Sequence, residues 1–86
     1  MALDNAKDNI RINSVAPGII DTPFNDKALE KTPNPLEAKK TQEDITPLGR
    51  LGKSEEIAKA VLFLASEDAS FMIGSIMSVD GGLSAQ

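Results

Sequence analysis

The 86-residue chain contains no cysteine, histidine, tyrosine or tryptophan, and its aromatics are three phenylalanines. Without cysteine there is no disulfide framework and no thiolate nucleophile. Without histidine the commonest metal ligand and the commonest general base are both missing, and no other cluster of residues reads as a metal site. No apolar run approaches the ~20 residues that span a bilayer. The N-terminus has neither the basic start nor the apolar core of a signal peptide, so no membrane partner is expected and the cytoplasm is the expected location. The net charge is −4 and the nine basic residues are scattered, which argues against a nucleic-acid footprint.

What remains is a globular composition, 41% hydrophobic and 26% charged, in a chain long enough for one small domain. At this size a single core is marginal without a metal, a disulfide or a partner. The organising stretch is Ile10 to Phe24. Ile10, Ile12 and Val15 supply β-branched bulk over a strand's length, so a strand is expected over 10–16, and Pro17-Gly18 should end it in a tight turn. Loops at the carboxyl ends of strands in an open α/β sheet are where ligands usually bind. The loop 17–24, with Asp21 and Thr22, is therefore the first place to look for chemistry.

Before this strand, residues 1–8 read as the end of a helix closed by Asp8-Asn9. Asn13 is a polar residue inside the strand, and a buried amide there should tie neighbouring backbone groups together. Thr22, ahead of Pro23, has the chemistry of a helix cap or turn hydroxyl. Over 25–47 the chain is polar and interrupted. Two helical turns over 25–31 and about three over 36–45 flank the break at Thr32-Pro-Asn-Pro, with few apolar contacts to hold them. Ser54 is expected to cap a helix over 54–66, with Glu55 and Glu56 in its first turn; counted from Ser54, position 57 is isoleucine, so a full capping box is not expected. Ile57, Ala58, Val61, Leu62, Leu64 and Ala65 give that helix an apolar face broader than one core contact requires. Arg50, alone in a Gly-rich loop, is either a phosphate ligand or a solvated, backbone-bonding group. Ile76 to Val79 reads as a short buried strand, Asp80-Gly81-Gly82 as the turn after it, and Ser84 to Gln86 as a surface tail.

Three stretches resemble one family. Arg11-Ile-Asn-Ser-Val-Ala-Pro-Gly-Ile-Ile-Asp-Thr is similar to the strand and loop that follow the active-site helix of classical short-chain dehydrogenases/reductases. Pro47-Leu-Gly-Arg-Leu-Gly-Lys-Ser-Glu-Glu-Ile-Ala is similar to the entry into that family's last long helix, and Gly74-Ser-Ile-Met-Ser-Val-Asp-Gly-Gly to its final strand and turn. The family's usual threonine before Gly74 is Ile73 here. The resemblance implies an α/β fold, the C-terminal portion of a Rossmann-like doubly wound parallel sheet, with two strands, lid helices and one long helix, incomplete on its own. It implies NAD or NADP as cofactor, held on this side by Pro17, Gly18, Ile20 and Thr22, the Ile20 backbone meeting the nicotinamide carboxamide. It makes 25–47 a substrate lid, where the residues alone allow a solvated connector. It also lets the helix over 54–66 face a second subunit.

The family's acid/base is a tyrosine paired with a lysine four residues on, and its cofactor turn is Gly-x-x-x-Gly-x-Gly. Neither pattern occurs here: there is no tyrosine, and no three of the six glycines have that spacing. No catalytic residue is therefore assigned. Two functions are left open. One is the C-terminal part of an NAD(P)-dependent oxidoreductase interconverting a small-molecule alcohol and a carbonyl, its site completed by residues not in this chain and its expected partner a second copy or a complementing N-terminal segment. The other is a non-catalytic product that self-associates as an interaction module.

Overall fold

A computed structural model describes Lys7 and residues 9–85. The expected end of a helix over 1–8 lies outside the described residues except at Lys7. In chain order the elements are β1 (Ser14–Pro17), β2 (Ile20–Asp21), α1 (Pro23–Glu30), α2 (Pro35–Ile45), β3 (Gly52–Lys53), α3 (Ser54–Ala65) and β4 (Ile76–Val79), with 3₁₀ turns at Glu67–Ala69 and Leu83–Ala85. β1 and β4 run parallel, with Ser14 opposite Ile76 and Pro17 opposite Val79. β2 and β3 form a second parallel pair, Ile20 opposite Gly52 and Asp21 opposite Lys53. The α/β parallel architecture is as expected; the β2–β3 pair is an addition, because two residues per strand are too few to show as a sequence pattern.

The first strand is shorter than 10–16 and shifted towards its C-terminal end. Pairing does reach back to Ile12, whose carbonyl accepts the Gly74 N–H at 2.8 Å. Gly74 sits at φ 72°, however, which turns the partner chain out of line, and at that point a side chain replaces the ladder. Asn13 donates from Nδ2 to the Met72 carbonyl at 3.1 Å and accepts the Ser75 N–H on Oδ1 at 3.0 Å. This is the backbone-tying role expected of it. One amide thus satisfies a donor and an acceptor that a half-buried turn would otherwise leave unpaired.

α3 is the long helix, and it packs on β1, β3 and β4. Its N-cap is Lys53, not Ser54, and Ser66 is the C-cap instead of the last helical residue. The shift by one makes Glu56 the third residue of the helix, so its Oε1 accepts the Lys53 N–H at 2.9 Å, the returning half of a capping box. The other end is held from a distance. Arg11 Nη1 donates to the carbonyls of Leu64 (3.1 Å) and Ala69 (2.7 Å), and Nη2 to that of Ser66 (3.3 Å). A cation on the last carbonyls of a helix is favoured by the helix dipole as well as by the hydrogen bonds.

The core is small. Leu29, Leu51, Ala60, Leu64 and Ala69 are its buried hydrophobic residues among those described, and no large side chain is fully enclosed. On α3 only Ala60 and Leu64 are buried, whereas Val61, Leu62 and Phe63 are exposed. The apolar face is indeed wider than the chain's own core.

Candidate functional site

Because β1 and β4 are parallel, their carboxyl ends lie together, at Pro17 and Val79. The chain leaves β1 through Gly18, whose N–H donates to the Val79 carbonyl at 3.2 Å. Gly18 has to be glycine for a steric reason: a Cβ there would lie 2.8 Å from the Asp80 Cα and 2.9 Å from its Cβ. The following turn is equally close-fitting. Gly81 and Gly82 have φ 63° and 94°, a region that side-chain-bearing residues avoid, and the Gly81 carbonyl accepts the Leu48 N–H at 3.1 Å. Asp80 holds this turn from within, taking the N–H groups of Gly82 (3.0 Å) and Ser84 (3.1 Å) on its carboxylate. The hydrogen bonds from Ser84 and Gly82 lower its pKa. The expected tail is therefore tied at Ser84, although Ser84 and Ala85 stay exposed.

These segments enclose a cavity of about 240 Å³, whose lining includes Gly18, Ile20, Thr46, Arg50, Glu56 and Asp80. Of the four residues expected at a cofactor, Gly18 and Ile20 line this cavity. Pro17 is exposed at the end of β1, and Thr22 stands beyond β2 at the head of α1. Ile20 is fixed by register. The Gly52 N–H bonds to the Ile19 carbonyl at 2.9 Å, and in a parallel pair with Ile20 opposite Gly52 the Ile20 N–H and carbonyl must then point away from β3. A donor and an acceptor are thereby presented together on the side of β2 away from β3. Thr22 is the N-cap of α1, its Oγ1 accepting the Asn25 N–H at 3.1 Å. The cap engages an acceptor lone pair only, so the hydroxyl proton is left for another partner.

The Arg50 guanidinium is engaged by a carboxylate. Its two terminal nitrogens bind the two oxygens of Glu56, at 2.9 and 3.0 Å, and Nη1 also donates to the Leu51 carbonyl. The Arg50 hydrogen bond, followed by that from the Lys53 backbone, lowers the Glu56 pKa from 4.5 to about 2, and the same pair raises that of Arg50. Such a fork-to-fork pair fixes loop 47–53 to the first turn of α3.

Above the loop, α1 and α2 occupy 23–45, each with proline as its first helical residue and a polar cap before it, Thr22 and Asn34. They begin two and one residues earlier than expected from composition, since proline is well suited to that position. α2 buries none of its residues and α1 buries only Leu29.

The architecture and the sequence now point the same way. A family model described as enoyl-(acyl carrier protein) reductase matches residues 1–84. The chain belongs to the short-chain dehydrogenase/reductase family. A 3-oxoacyl-(acyl-carrier-protein) reductase of Thermotoga maritima is 48% identical over 75 residues, covering 87% of this chain and 28% of that protein. The crystal structure of a short chain dehydrogenase family protein from Francisella tularensis superposes with a TM-score of 0.93 at 40% identity, over 99% of this chain and 37% of the other. A putative 2-deoxy-d-gluconate 3-dehydrogenase from Agrobacterium tumefaciens, solved with bound NADP, superposes with a TM-score of 0.84 at 39% identity, over 99% of this chain and 33% of that one. The chain thus spans about a third of the length of these short-chain dehydrogenase/reductase relatives.

Two site features lay beyond the reach of the sequence reading. The partner of Gly18 is Asp80, 62 positions away, and nothing local announces it. The Arg50–Glu56 pair had a weak signal, a lone arginine six residues before a carboxylate at a helix start, which was compatible with several partners.

Among the described residues no group of three or more acidic side chains is placed to hold a metal ion, and no helix is long and apolar enough to cross a membrane.

Proposed function

We propose that this chain is the nicotinamide-side portion of an NAD(P)-dependent short-chain oxidoreductase that interconverts an alcohol and a carbonyl. The observation that carries the reading is the N–H and carbonyl of Ile20, both turned away from β3, next to the unspent hydroxyl proton of Thr22, at the carboxyl ends of parallel strands. A carboxamide offers the complementary acceptor and donor. In this reading Pro17 and Gly18 bring the backbone up to the cofactor, Ile20 reads the carboxamide and Thr22 donates to it or to the pyrophosphate. A bound nicotinamide supplies the hydride donor or acceptor; this chain orients it and, through 25–47 as the substrate lid, excludes water. The acid/base group comes from other polypeptide, since the chain has no tyrosine or histidine.

The exposed apolar surface supports a completed assembly. Leu62 and Ile76 are 71% and 72% exposed, and a groove lined by Arg11, Asn13, Val15, Val61, Leu64 and Ala65 runs beside β1. Faces of this kind mark contacts with further protein. A soluble assembly in the cytoplasm, either a homo-oligomer or a complex with a complementing N-terminal segment, fits them.

The test is cofactor-dependent carbonyl reduction followed at the nicotinamide absorbance. The purified chain alone is expected to show none. Mixed with a segment carrying a Gly-rich turn and Tyr-x-x-x-Lys, it should gain turnover that Thr22→Val lowers. Turnover by the chain alone overturns the assignment of acid/base chemistry elsewhere. The second reading, a self-associating module without catalysis, is favoured by the same exposed helix face; it requires oligomers that form without cofactor and are unchanged by Thr22→Val.

A further inference from the structure

We infer that Asn25 and Gln42 form a clasp across the base of the α1–α2 hairpin, making both of its attachments to the body move as one. The two side-chain amides exchange both of their hydrogen bonds, Asn25 Nδ2 to Gln42 Oε1 at 3.1 Å and Gln42 Nε2 to Asn25 Oδ1 at 3.2 Å. Each amide is half-buried and sits on the face its helix turns inward. The pair also lies in the middle of a longer series. Thr22 Oγ1 accepts the Asn25 backbone N–H at 3.1 Å, and Thr46 Oγ1 donates to the Gln42 carbonyl at 2.9 Å. Thr22 is the residue by which the hairpin leaves β2, and Thr46 the residue by which it returns.

Thr46 is the better anchored end. It is 4% exposed, its carbonyl accepts the Gly49 N–H at 2.7 Å, and its methyl group lies against Gly81. Thr22 is at the less buried end, where α1 buries one residue and Lys39 reaches Asp21 only at 3.9 Å. Through Gln42 and Asn25 the anchored end therefore adds a second constraint on Thr22, beside the pairing of Asp21 with Lys53. α1 also packs on α2 and on β2; the clasp adds to that packing a cross-link between positions 25 and 42, which shortens the loop left to close. Asn25 and Gln42 are positioning residues: neither has to touch a ligand, and the clasp holds whether or not a cofactor binds. If the loop at Thr22 is the carboxamide site proposed above, the clasp is what holds that site in place.

Amide hydrogen exchange on the full chain, in the assembly it adopts, tests this directly. Gln42→Leu should raise exchange about tenfold throughout both α1 and α2, and at the Asn25 amide, while α3 keeps its protection as an internal reference. Gln42→Glu supplies a readout that a filler side chain would not. Its carboxylate accepts from Asn25 but cannot donate back, so protection falls at neutral pH; protonation restores the donor, and the ratio of exchange rates to the parent protein should return towards one as the pH drops below the ordinary carboxylate range. The swapped pair Asn25→Gln/Gln42→Asn should regain most of the protection. Loosening confined to α2, or a Gln42→Glu protein with no pH-dependent recovery, overturns the clasp. Neither outcome bears on nicotinamide binding, which Thr22→Val turnover tests separately.

Discussion

Replacing Gly18 by alanine tests a close approach between two backbone segments. The added Cβ would stand 2.8 Å from Asp80 Cα, 2.9 Å from its Cβ and 3.0 Å from its carbonyl oxygen. All three belong to or adjoin a backbone that is itself held: Asp80 follows β4 directly and bonds to Gly82 and Ser84. The ends of β1 and β4 must then move apart by about half an ångström or more to reach ordinary van der Waals distance. The Gly18 N–H bond to Val79, already 3.2 Å, is stretched in the process. Overpacking of this kind costs about 1–3 kcal/mol. Against it stands a gain of roughly 0.4–1 kcal/mol, because alanine narrows the unfolded ensemble. The steric loss wins, leaving a net destabilisation of about 1–2 kcal/mol and a melting temperature lower by roughly 4–16 °C for a domain of this size.

Far-UV circular dichroism against urea or temperature is the assay, as the chain has no tryptophan to report. Gly49→Ala is the control that separates causes. Gly49 has φ 77° with nothing within 4 Å of a new Cβ, so only backbone strain of about 1 kcal/mol should appear there. The two variants also differ in how they are rescued. Widening the turn with Asp80→Gly should relieve part of the Gly18→Ala defect and none of the Gly49→Ala defect. A Gly18→Ala protein that melts at or above the parent temperature would refute the assignment of Gly18 to the strand-end contact.

Arg11→Met removes three charge-assisted hydrogen bonds to the carbonyls that end α3 and the turn after it; urea unfolding should show a loss of about 2–3 kcal/mol, and Arg11→Lys should recover less than half of it, because an ammonium cannot fork across three acceptors. The folded-state pKa of Glu56 is depressed, from 4.5 to about 2, so its contribution to stability is fully present above 4.5 and is lost as the pH falls towards 2. Acid titration of stability should therefore lose part of its slope in that window in Glu56→Gln, and high salt should shrink the difference, since the pair is partly solvated. Leu62→Glu on the exposed face of α3 should shift the sedimentation profile at micromolar concentration towards monomer with the far-UV spectrum unchanged; an unaltered profile would take that face out of the assembly.

How much of this was legible depended on the range of the interaction. The apolar stretches within 10–16 and at Ile76–Val79 and the apolar helix over 54–66 are local patterns, and each overlaps an element of the structure, β1 (Ser14–Pro17), β4 and α3. The Asn13 amide was also legible, because a half-buried polar side chain next to a strand has few ways to be satisfied. Element ends were displaced by specific partners, some near and some distant in sequence. Glu56 chose Lys53 as the cap of α3, and Gly74 shortened the pairing of β1. Prolines at 23 and 35 started helices that composition placed a little later.

By itself, then, the order of residues determined the family, the parallel α/β character and the lack of any catalytic tyrosine or histidine. Those are properties of residue type and spacing along the chain. Only the tertiary structure decided that Gly18 is glycine because of Asp80, that Arg11 closes a helix more than fifty positions away, and that the Ile20 N–H and carbonyl point away from β3. Each of these depends on which backbone groups the parallel pairing consumes and which it leaves over, and that balance is set between segments, not within them.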